Sequence, residues 1–146
     1  MISAERFQAY AAEGYNRIPV VREVLSDLDT PLSVYLKLAD GPNTYLFESV
    51  EGGERFGRYS FIGLPARTLL RVRAFATEVV RDGAVIERHS GNPLDFLASY
   101  QARFKVALRA GMPRFAGGLA GYFGYDIVRH IEPRLGPAVK PFPPGM

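Results

Sequence analysis

The sequence predicts an α+β fold: a mainly antiparallel β-sheet with a few helices packed on it. Three observations lead there. Apolar residues at helical spacing occur near the amino terminus, after residue 30 and after residue 92, whereas residues 44–89 alternate with a period of two between glycine breaks. Asp82-Gly83 lies between two alternating runs, the signature of a tight hairpin. The length of 146 residues, 47% hydrophobic and 23% charged, suits one domain with a buried core.

Taken in order, Ser3 is placed to cap a first helix running to Gly14, with Phe7, Tyr10 and Ala11 on its apolar side. Residues 18–25 read as a strand whose start Pro19 confines to an edge. Asp29-Thr30-Pro31 opens a second helix with Leu32, Tyr35 and Leu36 on one side, and Asp40-Gly41-Pro42 ends it. Strands follow at residues 44–50, 58–64 and 68–75, then the hairpin arms 77–81 and 84–89. A two-residue loop would set Glu78 opposite Glu87, a like-charge pair that a bulged loop avoids, so the register stays open. Asn92 caps a helix with Pro93 at its first position, Leu94, Leu97, Phe104 and Leu108 as the buried stripe, and Gly111 with Pro113 as its end. Residues 117–123 read as a glycine-rich strand and 125–131 as strand or short helix. The domain is expected over 1–132, and the proline-rich stretch 133–146 is expected to be a linker or a truncated connection to a further domain.

Composition narrows the function. The net charge of +3 is local: residues 1–66 carry six Lys and Arg against nine Asp and Glu, residues 67–114 nine against four, and the remainder three against two. Arg67, Arg71 and Arg73 with Phe75 could form a face for single-stranded nucleic acid, but a solvated strand face explains them better, and no nucleic-acid partner is expected. No stretch reaches eighteen apolar residues and no secretory signal opens the chain, so no membrane association and a cytoplasmic location are expected. With no cysteine, and with His89 and His130 outside metal-ligand spacing, neither a metal site nor a catalytic nucleophile is visible. The chain alone is expected to be inactive.

Two segments remain as candidate sites. In regular alternation Leu46, Glu48 and Val50 share one face of their strand, and Tyr45, Phe47 and Ser49 the other. If Glu48 faces inward its carboxylate needs a cation, either Arg55 or Arg58 or a ligand ammonium. The glycines of Glu51-Gly52-Gly53-Glu54-Arg55-Phe56-Gly57-Arg58 could cradle a carboxylate, or simply connect two strands. Gly117-Gly118-Leu119-Ala120-Gly121-Tyr122-Phe123-Gly124 lacks the spacing and downstream acidic residue of a dinucleotide site, and close backbone packing is the better reading.

Residues 30–38 (TPLSVYLKL) followed by 47–63 (FESVEGGERFGRYSFIG) closely resemble the amino-terminal region of anthranilate synthase component I. Residues 117–126 (GGLAGYFGYD) are similar to the same family further on, and to aminodeoxychorismate synthase component I. The resemblance implies one part of a larger two-domain β-sandwich lyase. That enzyme converts chorismate with ammonia, or with glutamine through an amidotransferase subunit, into anthranilate and pyruvate in tryptophan biosynthesis. Magnesium and chorismate would be held by a carboxy-terminal chorismate-binding domain absent from this chain. It further implies feedback inhibition by L-tryptophan. The family's Leu-Glu-Ser tripeptide falls on Phe47, Glu48 and Ser49, its pocket proline on Pro31, and its basic residue on Arg58, with Tyr59 as the alternative. Glu48 would meet the α-ammonium and Ser49 would donate or accept, beside apolar neighbours for the indole. A surface meeting the absent domain would be exposed, and self-association of the fragment is one expected response.

Overall fold

A computed structural model describes residues 2–48, 59–113 and 115–136. The fold is α+β, with four α-helices and two small antiparallel sheets among the described residues. The helices are α1 (Ala4–Ala12), α2 (Pro31–Leu38), α3 (Pro93–Ala102) and α4 (Val128–Ile131). One sheet pairs β1 (Tyr45–Phe47) with β2 (Phe61–Gly63). The other runs in the order β3 (Thr68–Arg73), β4 (Ala76–Arg81), β5 (Ala84–Ser90). Two compact units divide the chain. One comprises Met1–Arg22, Val72–Thr77 and His89–Met146, the other Glu23–Arg71 and Glu78–Arg88.

In the first unit, Ser3 caps α1 by accepting from the Arg6 amide at 3.3 Å, and Gly14 leaves the helix in the left-handed region at φ +83. The strand expected at 18–25 does not form; a single parallel bridge joins Arg17 to Val106. Pro19 has no amide to donate, and the ordering here comes instead from Asn16. Its side-chain amide donates to the Arg103 carbonyl at 2.7 Å and accepts from the Lys105 amide at 2.8 Å, mimicking a strand partner. Asn92 caps α3 by accepting from the Leu94 amide, with Pro93 at the first position as expected. The buried stripe is different: Pro93, Phe96 and Tyr100 are inside, whereas Leu94 and Leu97 are half-buried and Leu108 is exposed, beyond the helix end. Ring packing decides this. His89 stacks on Phe96 at 4.8 Å, Tyr100 lies 6.0 Å from Phe96, Phe104 meets Tyr100 edge-on at 5.3 Å, and the Arg103 guanidinium sits 5.0 Å above Tyr100.

Thr77, fully buried in the same unit, has an Oγ1 with no hydrogen-bond partner among the described residues. A buried hydroxyl left unpaired costs desolvation without return. Thr77→Val is therefore expected to leave stability unchanged or raise it by about 1 kcal/mol, as read by urea denaturation; a loss of that size would show that the hydroxyl is bonded in solution.

In the second unit, the hairpin forms with a two-residue loop. Asp82 and Gly83 take φ +49 and +83, the pair of positive values a type I′ turn requires. Glu78 accepts from Arg88 at 3.0 Å. Val79 and Val80, neighbours in sequence with side chains on opposite faces, are both buried, so both faces of β4 are covered.

Candidate functional site

The site is built on α2, β1 and β2 in the second unit. Thr30 caps α2 reciprocally: its Oγ1 accepts from the Ser33 amide at 3.1 Å while Ser33 Oγ accepts from the Thr30 amide at 2.9 Å. Pro31 occupies the first helical position, where its missing N–H costs nothing. Just before the cap, Asp29 accepts from Lys37 Nζ at 2.5 Å and from Ser33 Oγ at 2.8 Å. The Lys37 ammonium first, and the Ser33 hydroxyl second, hold its carboxyl below the usual aspartate value. The half-buried side of α2 is Ser33, Val34 and Tyr35, while Leu32 and Leu36 are exposed, contrary to the stripe expected from spacing. Tyr35 explains the rotation, since its hydroxyl shares a 2.8 Å hydrogen bond with Thr44 Oγ1, just before β1.

Along β1 and β2 the antiparallel register sets Tyr45 opposite Gly63, Leu46 opposite Ile62 and Phe47 opposite Phe61. Tyr45 and Phe47 point to one face, as alternation requires, and their rings stack at 4.6 Å. The Tyr45 ring lies so close over Gly63 that a Cβ there would overlap its Cε1 and Cδ1. A shallow cavity of about 390 Å³ opens beside this sheet, lined by Ser26, Asp29, Thr30, Pro31, Val34, Ser60 and Ile62.

Of the six site residues expected from the sequence, four are described. Pro31 lines the cavity. Phe47 is half-exposed at the end of β1. Tyr59, also half-exposed, immediately precedes the cavity residue Ser60, with its ring 6.3 Å from that of Phe61. Glu48 is exposed, so the inward-facing condition that demanded an internal cation is not met: β1 ends at Phe47, one residue before alternation could turn Glu48 inward. Ser49 and Arg58, with Arg55 and the glycine loop, lie outside the described residues. Ser26, Asp29, Thr30, Val34, Ser60 and Ile62 line the cavity without being among the residues the sequence pointed to. The Asp29-Thr30-Pro31 start signal marks one wall of the cavity, but only tertiary pairing adds Ser60 and Ile62. Its lining combines the hydroxyls of Ser26, Thr30 and Ser60 with apolar carbon from Pro31, Val34 and Ile62, and its one carboxylate, Asp29, is already paired with Lys37.

The other sequence candidates fare differently. Arg67 is not a free cation on a binding face, because its guanidinium grips Asp82 through two hydrogen bonds of 2.8 Å. That contact holds the Asp82 carboxyl below its usual value and raises the guanidinium above its own. Residues 117–123 form no strand, and 125–131 form a 3₁₀ turn (Tyr125–Ile127) leading into α4. Among the described residues no helix is long and apolar enough to cross a membrane, and no three His, Asp or Glu side chains gather as a metal site.

Comparison with known proteins adds a lineage. The chain is 55% identical over 146 residues to anthranilate synthase component 1 of Pseudomonas putida, covering 99% of this chain and 30% of that protein. It is 54% identical over 145 residues to the protein of the same name from Pseudomonas aeruginosa, again 99% of this chain and 30% of the relative. The component 1 protein of Neisseria meningitidis serogroup B is 56% identical over 132 residues, 90% of this chain and 27% of that protein. The chain thus spans about a third of the length of these curated relatives. No family model matches the sequence, and no solved structure matches it.

Proposed function

This chain is a homologue, over its whole length, of the amino-terminal part of anthranilate synthase component 1, and from that premise we propose that it is the tryptophan-sensing and supporting domain of such an enzyme. The observation that carries the reading is this homology. The whole enzyme converts chorismate with ammonia or glutamine into anthranilate and pyruvate, with magnesium and chorismate held by a carboxy-terminal domain and glutamine served by an amidotransferase subunit. The part of this segment is to bind the end product and to pack against the domain that reacts.

The proposed sensor comprises Pro31, Phe47, Glu48, Ser49, with Arg58 or Tyr59 from the following segment. Geometry supports it: α2, which carries Pro31, packs against β1, which carries Phe47, and Glu48 follows at the strand end with its carboxylate accessible to an incoming ammonium. An aromatic ring at position 47 offers a face on which an indole can stack. Tryptophan bound across this surface would bias the position of the neighbouring domain, and so the reaction, only through a difference in its affinity for two arrangements.

The test joins residues 1–146 to the remainder of the Pseudomonas putida relative, in place of its matching segment. The chimera is expected to make anthranilate and to be inhibited by tryptophan. Glu48→Gln and Ser49→Ala should each raise the tryptophan concentration for half inhibition by about tenfold or more, since a hydrogen bond to a charged group contributes about 1.5–3 kcal/mol. Inhibition unchanged in both variants would sink the assignment.

A further inference from the structure

Burial does little to hold α2 in place. The helix is eight residues long, none of its side chains is buried, and Leu32 and Leu36 are 53% and 72% exposed. A helix this short is marginal in water on its own propensity. Among the described residues its position rests instead on polar links, and most of them meet at Asp29, one residue ahead of the cap.

The Asp29 amide donates to the Ser26 carbonyl at 3.3 Å, closing the turn that leads into the helix. Its Oδ1 accepts from Ser33 Oγ in the first turn at 2.8 Å and from Lys37 Nζ in the last turn at 2.5 Å. The ion pair therefore spans the whole of α2. Helical side chains lean toward the amino terminus, which lets the lysine stem reach back along the axis. Lys37, ahead of Ser33, holds the Asp29 carboxyl below its usual value, so the negative charge persists at neutral pH. A 2.8 Å hydrogen bond between the hydroxyls of Tyr35 and Thr44 fastens the other half of the helix to the chain entering β1.

We infer that Asp29 and Lys37 are positioning residues of the tryptophan sensor: their ion pair clamps α2 from end to end and so holds Pro31 in place beside β1. The inference rests on the proposed function and deepens it, since neither residue is among those proposed to touch tryptophan. Without the clamp, the start of α2 divides its time between this arrangement and others. Apparent affinity then falls in proportion to the fraction of molecules that stays competent. The pair is partly solvated, with side chains 63% and 29% exposed, so the effect is a tuning of the sensor rather than its abolition.

The chimera described above tests this through the tryptophan concentration for half inhibition. Lys37→Met keeps the stem and removes the charge. It should raise that concentration by about threefold to fivefold and leave kcat and the KM for chorismate unchanged. Lys37→Arg retains a cation and should stay near the parent. Asp29→Asn should shift inhibition as Lys37→Met does, and the double variant should shift it no further, because both act through one contact. In the 146-residue chain, amide exchange across residues 32–38 should quicken in Lys37→Met and not in Lys37→Arg, a readout independent of the reacting domain. Inhibition or exchange unchanged in Lys37→Met would overturn the inference, and a shift in Glu48→Gln would then leave the sensor standing. Losses that add in the double variant would overturn it by giving the two residues separate roles. A matching rise in the KM for chorismate would do so by making Lys37 merely structural. A parent chimera that tryptophan does not inhibit would remove the sensor and this role with it.

Discussion

Phe96→Ala is expected to destabilise the chain by about 3–5 kcal/mol, the cost of emptying a large aromatic site in a packed interior. Phe96 is 5% exposed and its ring is held between His89 at 4.8 Å and Tyr100 at 6.0 Å, with the Arg103 guanidinium 5.6 Å from its centroid. Removing it leaves the His89 and Tyr100 faces without a partner and opens a void that these flanking rings cannot both close. Against a total stability of roughly 5–15 kcal/mol for a domain, that is a large share. Phe96→Leu should lose less, because most of the volume returns. The informative control is Leu108→Ala: Leu108 is 68% exposed, so its truncation should fall within about 0.5 kcal/mol of the parent. Urea denaturation of the three variants distinguishes the ring stripe from the leucine stripe that spacing suggests. Equal losses at positions 96 and 108 would contradict the packing described.

Gly63→Ala is expected to cost about 1–3 kcal/mol, the usual penalty of overpacking. The added Cβ would collide with Cε1 and Cδ1 of Tyr45 and lie 2.5 Å from its Cζ. Tyr45 cannot tilt freely, since its ring is stacked on Phe47 and its strand is paired residue for residue with β2. The ring must leave the strand face, and Phe47 loses its stacking partner. Thermal unfolding reports the loss, and the near-ultraviolet circular dichroism of the tyrosines should change with it. Gly83→Ala serves as the contrast: a Cβ there meets no atom within 4 Å, so its penalty comes only from the left-handed φ of +83. A Gly63→Ala protein with unaltered aromatic dichroism would show that Tyr45 does not lie over residue 63.

Much of the local structure is legible in the residues alone. Ser3, Thr30 and Asn92 stand where the helices start, because a short polar side chain ahead of a helix satisfies amides that have no other partner. Asp82-Gly83 dictates the hairpin turn, because two successive positive φ values exclude most other pairs. The period-two centre and the resemblance of residues 30–38 and 47–63 to one enzyme family are likewise properties of sequence, and the homologues agree with the latter. The positions of Pro31 on α2 and Phe47 on β1 follow from those local rules.

Tertiary structure decided which faces those elements turn inward. Leu94 and Leu97 satisfy helical spacing as well as Phe96 and Tyr100 do, and only a ring stack with His89 selects the aromatic side. Residues 18–25 have strand-forming side chains, yet only Arg17 ahead of them makes a bridge, beside the Asn16 side chain that binds Arg103 and Lys105. Alternation left the face of Glu48 open, and it stands exposed just past the end of β1. Residues 117–123 read as a glycine-rich strand and form none here, since a strand is completed by a neighbour's hydrogen bonds and not by its own sequence. Caps and turns act over three or four residues and can be read directly. Burial and pairing are contests between distant segments, and the chain settles them only when it is folded.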